Sequence, residues 1–401
     1  MGLLLLHLLL ILLLLLQNHL LVFPVSGNVY PLGYYYVLLN IENPPKVFDL
    51  DIALAVISLG SNAMPLATPR DSQYKPNHNT LPCSHMLCSG LDLPQRRPCL
   101  DPQDQCDYEI GYSDHGSSLG ALVTDEFPLR LENGSTTHPH LTFGFISLFR
   151  CGYDQQSPGP HPPPPTAGML GLGRGKTSIS SQLSSLGVTK NVIVHCLSHN
   201  GKGFLSIGDE LVPSSGVTWT SLALKSTSHN NSRGRGIELL YNDKTTSVKG
   251  LNFIFDSGSS YTYFNAETYQ AILCHIRTDL KGTALMDTKE DKKPLESVYD
   301  VKKYFKTITL RFGSQLFQVP PESYLITTEK GSVCLGILNG AEIGLDDYSI
   351  IGGIIVIYDD EKQRIGWIPS DCDVLPNVNQ DHGGDLSKEE AYPIQRDFGL
   401  I

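Results

Sequence analysis

The stretch Phe253-Ile254-Phe255-Asp256-Ser257-Gly258-Ser259-Ser260 decides how the rest of the sequence is interpreted. Its three apolar residues are typical of a buried strand, and a Ser-Gly turn follows Asp256 directly. Such a turn presents one carboxylate at the end of a strand, where backbone and hydroxyl donors can hold it ionised. An ordinary strand-to-turn junction has the same composition, so this stretch alone leaves a structural and a catalytic interpretation open.

The sequence around this stretch predicts a mostly β protein. Short runs of β-branched and aromatic residues, bounded by Gly, Pro, Asn or Asp, are typical of strands. These runs lie at 34–39, 251–255, 350–351 and 354–358. Helices are predicted at 179–186 and 266–276. The chain has 401 residues, which at roughly 150 residues per domain predicts two or three domains.

Composition and charge exclude several classes of protein. With 41% hydrophobic and 18% charged residues, the chain is not disordered, collagen-like or coiled coil. Its formal net charge is −11 and it has no basic cluster, which argues against nucleic acid as a partner. No C-x-x-C motif occurs and the histidines are dispersed, so we expect neither a metal site nor a cofactor.

The N-terminus predicts entry into the secretory pathway. An apolar run over 3–16 is followed by Pro24 and small residues, so residues 1–26 are predicted to be a signal peptide. An uncleaved membrane anchor over 3–23 is the alternative, because that length approaches the ~20 residues of a span. The polar break at 17–19 argues against the anchor, whereas the missing Lys or Arg before the run argues against the signal peptide.

Two further features agree with secretion. Asn133 and Asn230 each begin an N-x-S/T sequon and are predicted N-glycosylation sites. The nine cysteines could form disulfides in an oxidising compartment, and their odd number leaves at least one thiol over. We therefore expect an extracellular, cell-wall or vacuolar protein, in contact with a membrane only if the N-terminal segment stays uncleaved.

Asp256-Ser257-Gly258-Ser259 resembles the active-site motif of the pepsin-like aspartic proteases. Ile350-Ile351-Gly352 and Met169-Leu170-Gly171-Leu172-Gly173 resemble the hydrophobic-hydrophobic-Gly elements that support the two catalytic turns of that family. Tyr108–Gly120 resembles its flap hairpin, with Tyr112 on the flap tyrosine, and Tyr358–Trp367 resembles its closing strand pair. The resemblance spans residues 28–372.

The resemblance extends to the plant nucellin-like subgroup. It is carried there by Gly27-Asn28-Val29-Tyr30-Pro31, Cys106-Asp107-Tyr108-Glu109 and Cys151-Gly152-Tyr153-Asp154-Gln155-Gln156. It implies a bilobal fold with a pseudo-two-fold axis: an N-terminal β lobe with the flap at 27–220 and a C-terminal β lobe with the Asp-Ser-Gly motif at 237–372. A polar tail at 373–401 follows.

The family's chemistry needs one Asp from each lobe. The two carboxylates lie too close for both to ionise and share one proton, so that one activates a water and the other polarises the scissile carbonyl. The resemblance makes Asp256 one of the pair, with Ser257, Gly258 and Ser259 orienting it and Tyr112 closing over the substrate. It implies an aspartic endopeptidase without a cofactor, a polypeptide in the interlobe cleft and a monomer.

The first lobe departs from this pattern. Where the family places Asp-Thr-Gly-Ser, the chain continues from Ile52 with Ala53-Leu54-Ala55-Val56. Without a gap Ala53 takes the Asp position, and with a shift that keeps Gly60-Ser61 in the motif Ser58 takes it. Asp51 lies two residues upstream on the same strand face, where only a register slip would bring it forward.

Other departures accompany the missing motif. The replaced block also lacks the family's cysteines, so Cys83, Cys88, Cys99 and Cys106 either lose partners or pair among themselves. The loop after 350–352 is shortened and 145–150 is inserted. These changes predict a splice variant or a mis-assembled gene model, with genuine divergence as the alternative. Functionally, they leave a second hypothesis beside the endopeptidase: a catalytically inactive binding or inhibitor protein on the same fold.

Overall fold

The structure is a computed structural model of the chain, and the features below refer to the residues that it describes. These are 19–28, 33–42, 44–53, 60–61, 74, 79–89, 91, 99–111, 117–145, 155–156, 166–198, 201–222, 231–232, 237–251, 253–255, 257, 261–280, 304–327, 333–340 and 354–374.

The first half of the chain is built from fourteen short strands among these residues. They are β1 Leu21–Asn28, β2 Tyr34–Ile41, β3 Lys46–Ala53, β4 Gly60–Ser61, β5 Asp107–Gly111, β6 Ser117–Glu126, β7 Leu129–Arg130, β8 Thr136–Thr137, β9 His140–Phe145, β10 Gln155–Gln156, β11 Gly168–Gly171, β12 Val192–Leu197, β13 Gly203–Ile207 and β14 Thr218–Ser221.

The second half of the chain is also built mainly from short strands, so the described chain is mostly β, as predicted. Its strands are β15 Asn231–Ser232, β16 Glu238–Tyr241, β17 Lys244–Lys249, β18 Phe253–Ile254, β19 Thr262–Phe264, β20 Ile308–Phe312, β21 Gln315–Val319, β22 Leu325–Thr327, β23 Val333–Leu335, β24 Ile337–Asn339, β25 Ile354–Asp359 and β26 Arg364–Pro369.

Helices in the described residues are few, and the two predicted ones are confirmed. The helices are α1 Met86–Ser89, α2 Ile179–Ser185, α3 Ala266–Asp279 and α4 Pro321–Tyr324. Ser178 caps α2 by accepting a hydrogen bond from the backbone N–H of Ser181, and Asn265 caps α3 in the same way from Thr268. These side chains satisfy N–H groups that have no partner inside the helix.

Strands from both ends of the chain form one large sheet. Its order is β10-β6-β9-β4-β11-β3-β2-β1-β13-β12-β25-β26-β14, with β5 added beside β6. The adjacent strands β25 and β26 pair antiparallel, with Tyr358 opposite Ile365, which confirms the predicted closing strand pair. The second half has its own four-stranded sheet, in the order β17-β16-β20-β21.

Alternation of buried and exposed side chains explains why β2 and β3 form this sheet. The buried apolar side chains on the two strands are Tyr35, Val37, Leu39, Ile41, Phe48, Leu50 and Ile52, each at most 2% exposed. Their period of two places all of them on one face of their strands, against the core. Asp49 and Asp51 alternate with them along β3.

The clustered cysteines pair among themselves, which settles one alternative left by the sequence. Disulfides join Cys83 to Cys99, Cys88 to Cys106 and Cys196 to Cys372. Two thiols in the described part of the chain, those of Cys274 and Cys334, are free. Cys151 and the Ile350-Ile351-Gly352 element lie outside the described residues.

The structure describes only parts of two predicted segments, the signal peptide or anchor at 1–26 and the polar tail at 373–401. Residues 19–26, which belong to the predicted signal peptide or anchor, are described, and most of them lie in β1. Among the described residues no helix has the length and apolar character needed to cross a membrane. The predicted tail lies outside the described residues beyond position 374.

The Cys196–Cys372 disulfide is expected to stabilise the whole sheet. It joins β12 to the segment that follows β26 across 176 residues of sequence, and a long closed loop restricts the unfolded chain strongly. Replacing both cysteines with Ala should lower the free energy of unfolding by about 2–5 kcal/mol, as measured by denaturant titration. Cys274→Ala, at an exposed thiol, is the control and should change little; equal losses in both variants would contradict the expectation.

Candidate functional site

The site is built where two strands end, and the first of them is β3. The buried side chain of Ile52 faces the core, so its neighbour Asp51 lies on the opposite face of the strand. Asp51 is nevertheless only 8% exposed. Because residues i and i+2 of a strand are roughly 7 Å apart, Asp51 lies that far back from Ala53, the last residue of β3.

The first predicted hydrophobic-hydrophobic-Gly element lies beside this end of β3. The segment Gly168–Gly171, which is β11, runs parallel to β3 and pairs with it from Leu50 to Ala53. Gly171 lies opposite Ala53. The first hydrophobic-hydrophobic-Gly element therefore lies beside the end of β3, as its resemblance implies.

The short strand β4 returns along the other edge of β11. Gly60 pairs with Met169, and Met169 pairs on its other side with Asp51. Gly60-Ser61 therefore lies level with the body of β3 and does not continue directly from the strand end at Ala53.

A hydrogen bond joins the end of β3 to the Asp-Ser-Gly motif. The hydroxyl of Ser257 donates to the carbonyl oxygen of Ile52 at 3.0 Å, and Ser257 is 4% exposed. Ser257 directly follows Asp256, and Ile52 directly precedes Ala53. The bond therefore fixes one residue of the motif, from the second half of the chain, against the strand end in the first half.

The strand that leads into the motif is held by the large sheet. The hydroxyl of Tyr358 on β25 donates to the carbonyl oxygen of Phe255 at 3.2 Å. The Phe255 ring is buried, stacks on Trp367 with centroids 5.9 Å apart and contacts Phe317 edge-on at 5.2 Å. The two sequence neighbours of Asp256 are thus both fixed, Phe255 by Tyr358 and ring packing and Ser257 by the end of β3.

A buried histidine packs against this contact. The ring of His195 on β12 stacks on Tyr358, with centroids 5.6 Å apart and planes 15° apart. Burial lowers the pKa of His195 to about 4, because the charged form loses its hydration. His195 is therefore neutral in the folded protein over most of the acidic range.

The predicted flap is a β-hairpin. β5 and β6 pair antiparallel up to Gly111 and Ser117, and residues 112–116 connect them. The buried ring of Tyr108 packs on Gly144 of β9 so closely that a Cβ there would lie 2.6 Å from its Cε1 atom. Glycine is required at 144 for this approach, which holds the base of the hairpin on the sheet.

Several predicted site residues cannot be placed in this geometry. Lying outside the described residues are Tyr112, Asn230, Asp256, Gly258 and Ser259. Their roles stay predictions.

Two other predictions fall on described residues. Asn133 lies exposed in the turn between β7 and β8, where its side chain accepts hydrogen bonds from the backbone N–H and the hydroxyl of Ser135. No group of side chains suited to holding a metal ion occurs in the described ranges.

Sequence reasoning missed the residues that hold the motif through the large sheet. Tyr358 is 103 residues from Phe255 in sequence, and neither it nor His195 carries a motif that predicts the contact. Tyr358 belonged to the predicted closing strand, so its strand was found while its hydroxyl contact was not. Only the pairing of β12 with β25 brings the rings of His195 and Tyr358 together.

The fold and the site define a class: this is a mostly β protein with the pepsin-like aspartic proteinase fold. Family models described as "Xylanase inhibitor N-terminal" and "Xylanase inhibitor C-terminal" match residues 35–209 and 236–368. The chain is 37% identical over 386 residues to an aspartic proteinase of Oryza sativa subsp. japonica, covering 88% of this chain and 92% of that protein. The chain belongs to the plant family of pepsin-like aspartic proteases.

More distant proteins agree on the fold. Aspartic proteinase 36 of Arabidopsis thaliana is 25% identical over 379 residues, covering 88% of this chain and 77% of that protein. The crystal structure of basic 7S globulin from soybean superposes with a TM-score of 0.66 at 16% identity, over 90% of this chain and 99% of that one. The aspartic proteinase from Irpex lacteus gives 0.62 at 14% identity, over 88% and 98%.

The buried neutral histidine predicts a pH dependence of stability. The unfolded chain takes up a proton at His195 below its ordinary pKa of about 6.5, whereas the folded protein does so only near pH 4. Because the unfolded state binds more protons in this window, the free energy of unfolding should fall by about 3 kcal/mol through His195 as the pH drops from 7 to 4.

Denaturant titrations of the wild type and of His195→Phe at pH 7, 6, 5 and 4 measure this contribution. The variant keeps a ring against Tyr358 and cannot titrate, so its stability should depend less steeply on pH. His140→Gln, at an exposed position on β9, is the control and should follow the wild type. Parallel curves for wild type and His195→Phe would show that His195 does not carry the effect.

Proposed function

We propose that this chain is a non-hydrolytic member of its family that binds polypeptide in the interlobe cleft. The hydrogen bond from Ser257 to Ile52 carries the proposal, because it sets the Asp256 motif against the strand end that continues into Ala53. Alanine supplies no carboxylate, so at that position Asp256 has no partner with which to share a proton.

Strand pairing supports the assignment of Ala53, rather than Ser58, to the position of the missing Asp. Gly60-Ser61 forms the returning strand β4, level with Asp51 across β11, instead of the turn after Ile52. The shifted alignment needs Gly60-Ser61 in that turn. The ungapped alignment needs only that the turn begin at the end of β3, where Ser257 makes its contact.

A single carboxylate cannot act both as the base that activates the water and as the acid that polarises the scissile carbonyl. In the dyad, one carboxyl stays protonated because its partner is ionised. Without the partner, Asp256 ionises as an isolated carboxylate, and no acid is left to polarise the scissile carbonyl. Loss of one general acid or base alone typically lowers a rate by roughly 10²- to 10⁴-fold.

The scaffold around the missing residue supports retention of the cleft. β11 pairs with β3 as far as Ala53, and β5 and β6 form the hairpin of the predicted flap. Both matched family models are described as xylanase inhibitor domains, and one of the similar structures is basic 7S globulin from soybean. A binding or inhibitory role on this fold agrees with those descriptions, with a protein partner in place of a substrate.

The endopeptidase activity expected of the family is the second candidate, and one observation favours it. Asp51 lies near the end of β3 and is largely buried, so a second carboxyl exists close to the site. Its distance from the strand end is the argument against it, since a carboxyl roughly 7 Å back does not share a proton with Asp256. Asp51→Asn separates the two candidates.

Restoring the motif tests the proposal. The restored variant carries Ala53→Asp, Leu54→Thr, Ala55→Gly and Val56→Ser, so that Asp-Thr-Gly-Ser follows Ile52. Wild type, restored variant and restored variant with Asp256→Ala are assayed at acidic pH on an unfolded protein, with and without pepstatin. We expect pepstatin-sensitive cleavage by the restored variant, at least about 10²-fold above both others, because only it has two carboxyls at the site.

Pepstatin-sensitive cleavage by the wild type, lost in Asp256→Ala, would overturn the proposal. If that cleavage were also lost in Asp51→Asn while the unfolding transition stayed unchanged, Asp51 would be the second carboxylate. Binding is measured separately, by titrating the wild type with the same unfolded protein carrying a fluorescent label. Failure to bind, in a protein with a cooperative unfolding transition, would reject the polypeptide-binding cleft, whichever way the cleavage assay came out.

The remaining expectations belong to the same proposal. The two lobes span 27–220 and 237–372. The chain belongs to the nucellin-like subgroup of its family. The protein enters the secretory pathway, reaches an extracellular, cell-wall or vacuolar location, and acts as a monomer without a cofactor. The exposure of Asn133 in the turn between β7 and β8 supports its role as a glycan acceptor.

A further inference from the structure

A second hydrophobic cluster lies beside the flap hairpin, separate from the main core of the described residues. Its buried members are Leu81, Cys83, Cys88, Leu91, Cys106, Tyr108 and Leu122. Most of them come from the segment before β5 that carries two disulfides, here called the stapled segment, which is described at 79–89, 91 and 99–106. The other two, Tyr108 and Leu122, belong to β5 and β6. The base of the hairpin therefore packs into the core of the stapled segment.

Backbone hydrogen bonds also join the stapled segment to the hairpin. The N–H of Leu81 donates to the carbonyl oxygen of Leu122 at 2.8 Å, and the N–H of Leu122 donates to the carbonyl oxygen of Cys106 at 2.9 Å. The N–H of Cys106 in turn donates to the carbonyl oxygen of Leu81 at 2.8 Å. All three residues are buried, so losing one of these bonds would leave a polar group without water as a substitute partner. The three bonds fix the residue before β5 against the middle of β6.

The hairpin depends on this attachment because β5 is an edge strand. In the described part of the chain, β5 pairs with β6 and with no other strand. A two-stranded hairpin is at best marginally stable by itself in water. The Cys88–Cys106 disulfide ends on the residue directly before Asp107, the first residue of β5. It therefore joins the start of β5 covalently to α1, which contains Cys88.

The other disulfide of the stapled segment offers a close comparison. Cys83–Cys99 has a sequence separation of 16, against 18 for Cys88–Cys106, so the two restrict loops of nearly equal length. Cys99, however, is exposed and lies outside the buried cluster, and neither Cys83 nor Cys99 is next to β5. The two disulfides therefore differ mainly in whether they hold the hairpin.

We propose that the Cys88–Cys106 disulfide positions the flap hairpin, and that binding of a polypeptide in the cleft depends on that position. The proposal rests on the polypeptide-binding function proposed above and adds the part of the chain that sets the hairpin. A hairpin already held in place loses less conformational freedom on binding than a loose one, so it binds more tightly. The large sheet does not need this disulfide, because the main core and the Cys196–Cys372 disulfide lie outside the stapled segment.

Hydrogen exchange followed by mass spectrometry tests whether the disulfide positions the hairpin. Cys88→Ala with Cys106→Ala is compared with the wild-type chain and with a matched control, Cys83→Ala with Cys99→Ala. Peptides from β5 should exchange at least about 10-fold faster in the first variant and near the wild-type rate in the control, while peptides from β12 and β25 stay protected in all three proteins. An unchanged rate in the first variant, or equal acceleration in both variants, would refute the positioning role.

Titration with a fluorescently labelled unfolded protein tests the consequence for binding. Loss of Cys88–Cys106 should raise the dissociation constant by about 10-fold, because the loosened hairpin must be ordered on binding, whereas the control should bind like the wild type. Faster exchange in β5 without loss of affinity would reject the dependence of binding on the hairpin. A wild type that binds no polypeptide would reject the cleft itself, and hydrogen exchange would still decide whether the disulfide positions the hairpin.

Gly144→Ala is a second variant, which keeps the test decisive if removal of the disulfide prevents folding. Its Cβ would lie 2.6 Å from Cε1 of Tyr108, so the ring and the base of β5 have to move while both disulfides of the stapled segment stay intact. We expect faster exchange in β5 and weaker binding, as for the disulfide variant. Wild-type exchange and affinity in Gly144→Ala would contradict the proposal.

Discussion

The hydrogen bond between the hydroxyl of Ser257 and the carbonyl oxygen of Ile52 joins two parts of the chain that lie 205 residues apart in sequence. Both residues are buried, so water is no substitute partner, and leaving such a group unpaired costs about 1–3 kcal/mol. The register of the two halves at the site follows from this contact. So does the proposed function, since the residue after Ile52 is an alanine.

The support of the site does not depend on the residue at position 53. β11 holds β3 from one side by parallel pairing, and the hydroxyl of Tyr358 holds Phe255 on the strand that leads into the motif. These contacts use backbone groups and a hydroxyl, and none of them needs a carboxyl at the end of β3. A protein of this fold can therefore lose a catalytic carboxyl and keep its scaffold, because catalysis and support use different atoms.

The large sheet connects the beginning, the middle and the end of the chain. β1 lies between β2 and β13, and β12 lies between β13 and β25. The Cys196–Cys372 disulfide joins β12 to the segment that follows β26. His195 and Tyr358 lie on neighbouring strands of this sheet, and Tyr358 reaches the residue before Asp256. The large sheet therefore both stabilises the fold and supports the strand that leads into the motif.

Local patterns in the sequence determined the mostly β class and the helices α2 and α3. The resemblance to a family, carried by short motifs, implied the hairpin of the flap, the Asp-Ser-Gly motif as a candidate catalytic turn and the hydrophobic-hydrophobic-Gly element at β11. Each is readable because its residues are neighbours in sequence, where alternation, turn residues and caps act over a few positions. The contact of Ser257 with the end of β3, the pairing of the clustered cysteines, the burial of His195 and the place of β1 were decided only by the tertiary structure. Each of these depends on partners far along the chain, and local patterns do not specify which distant backbone groups will meet.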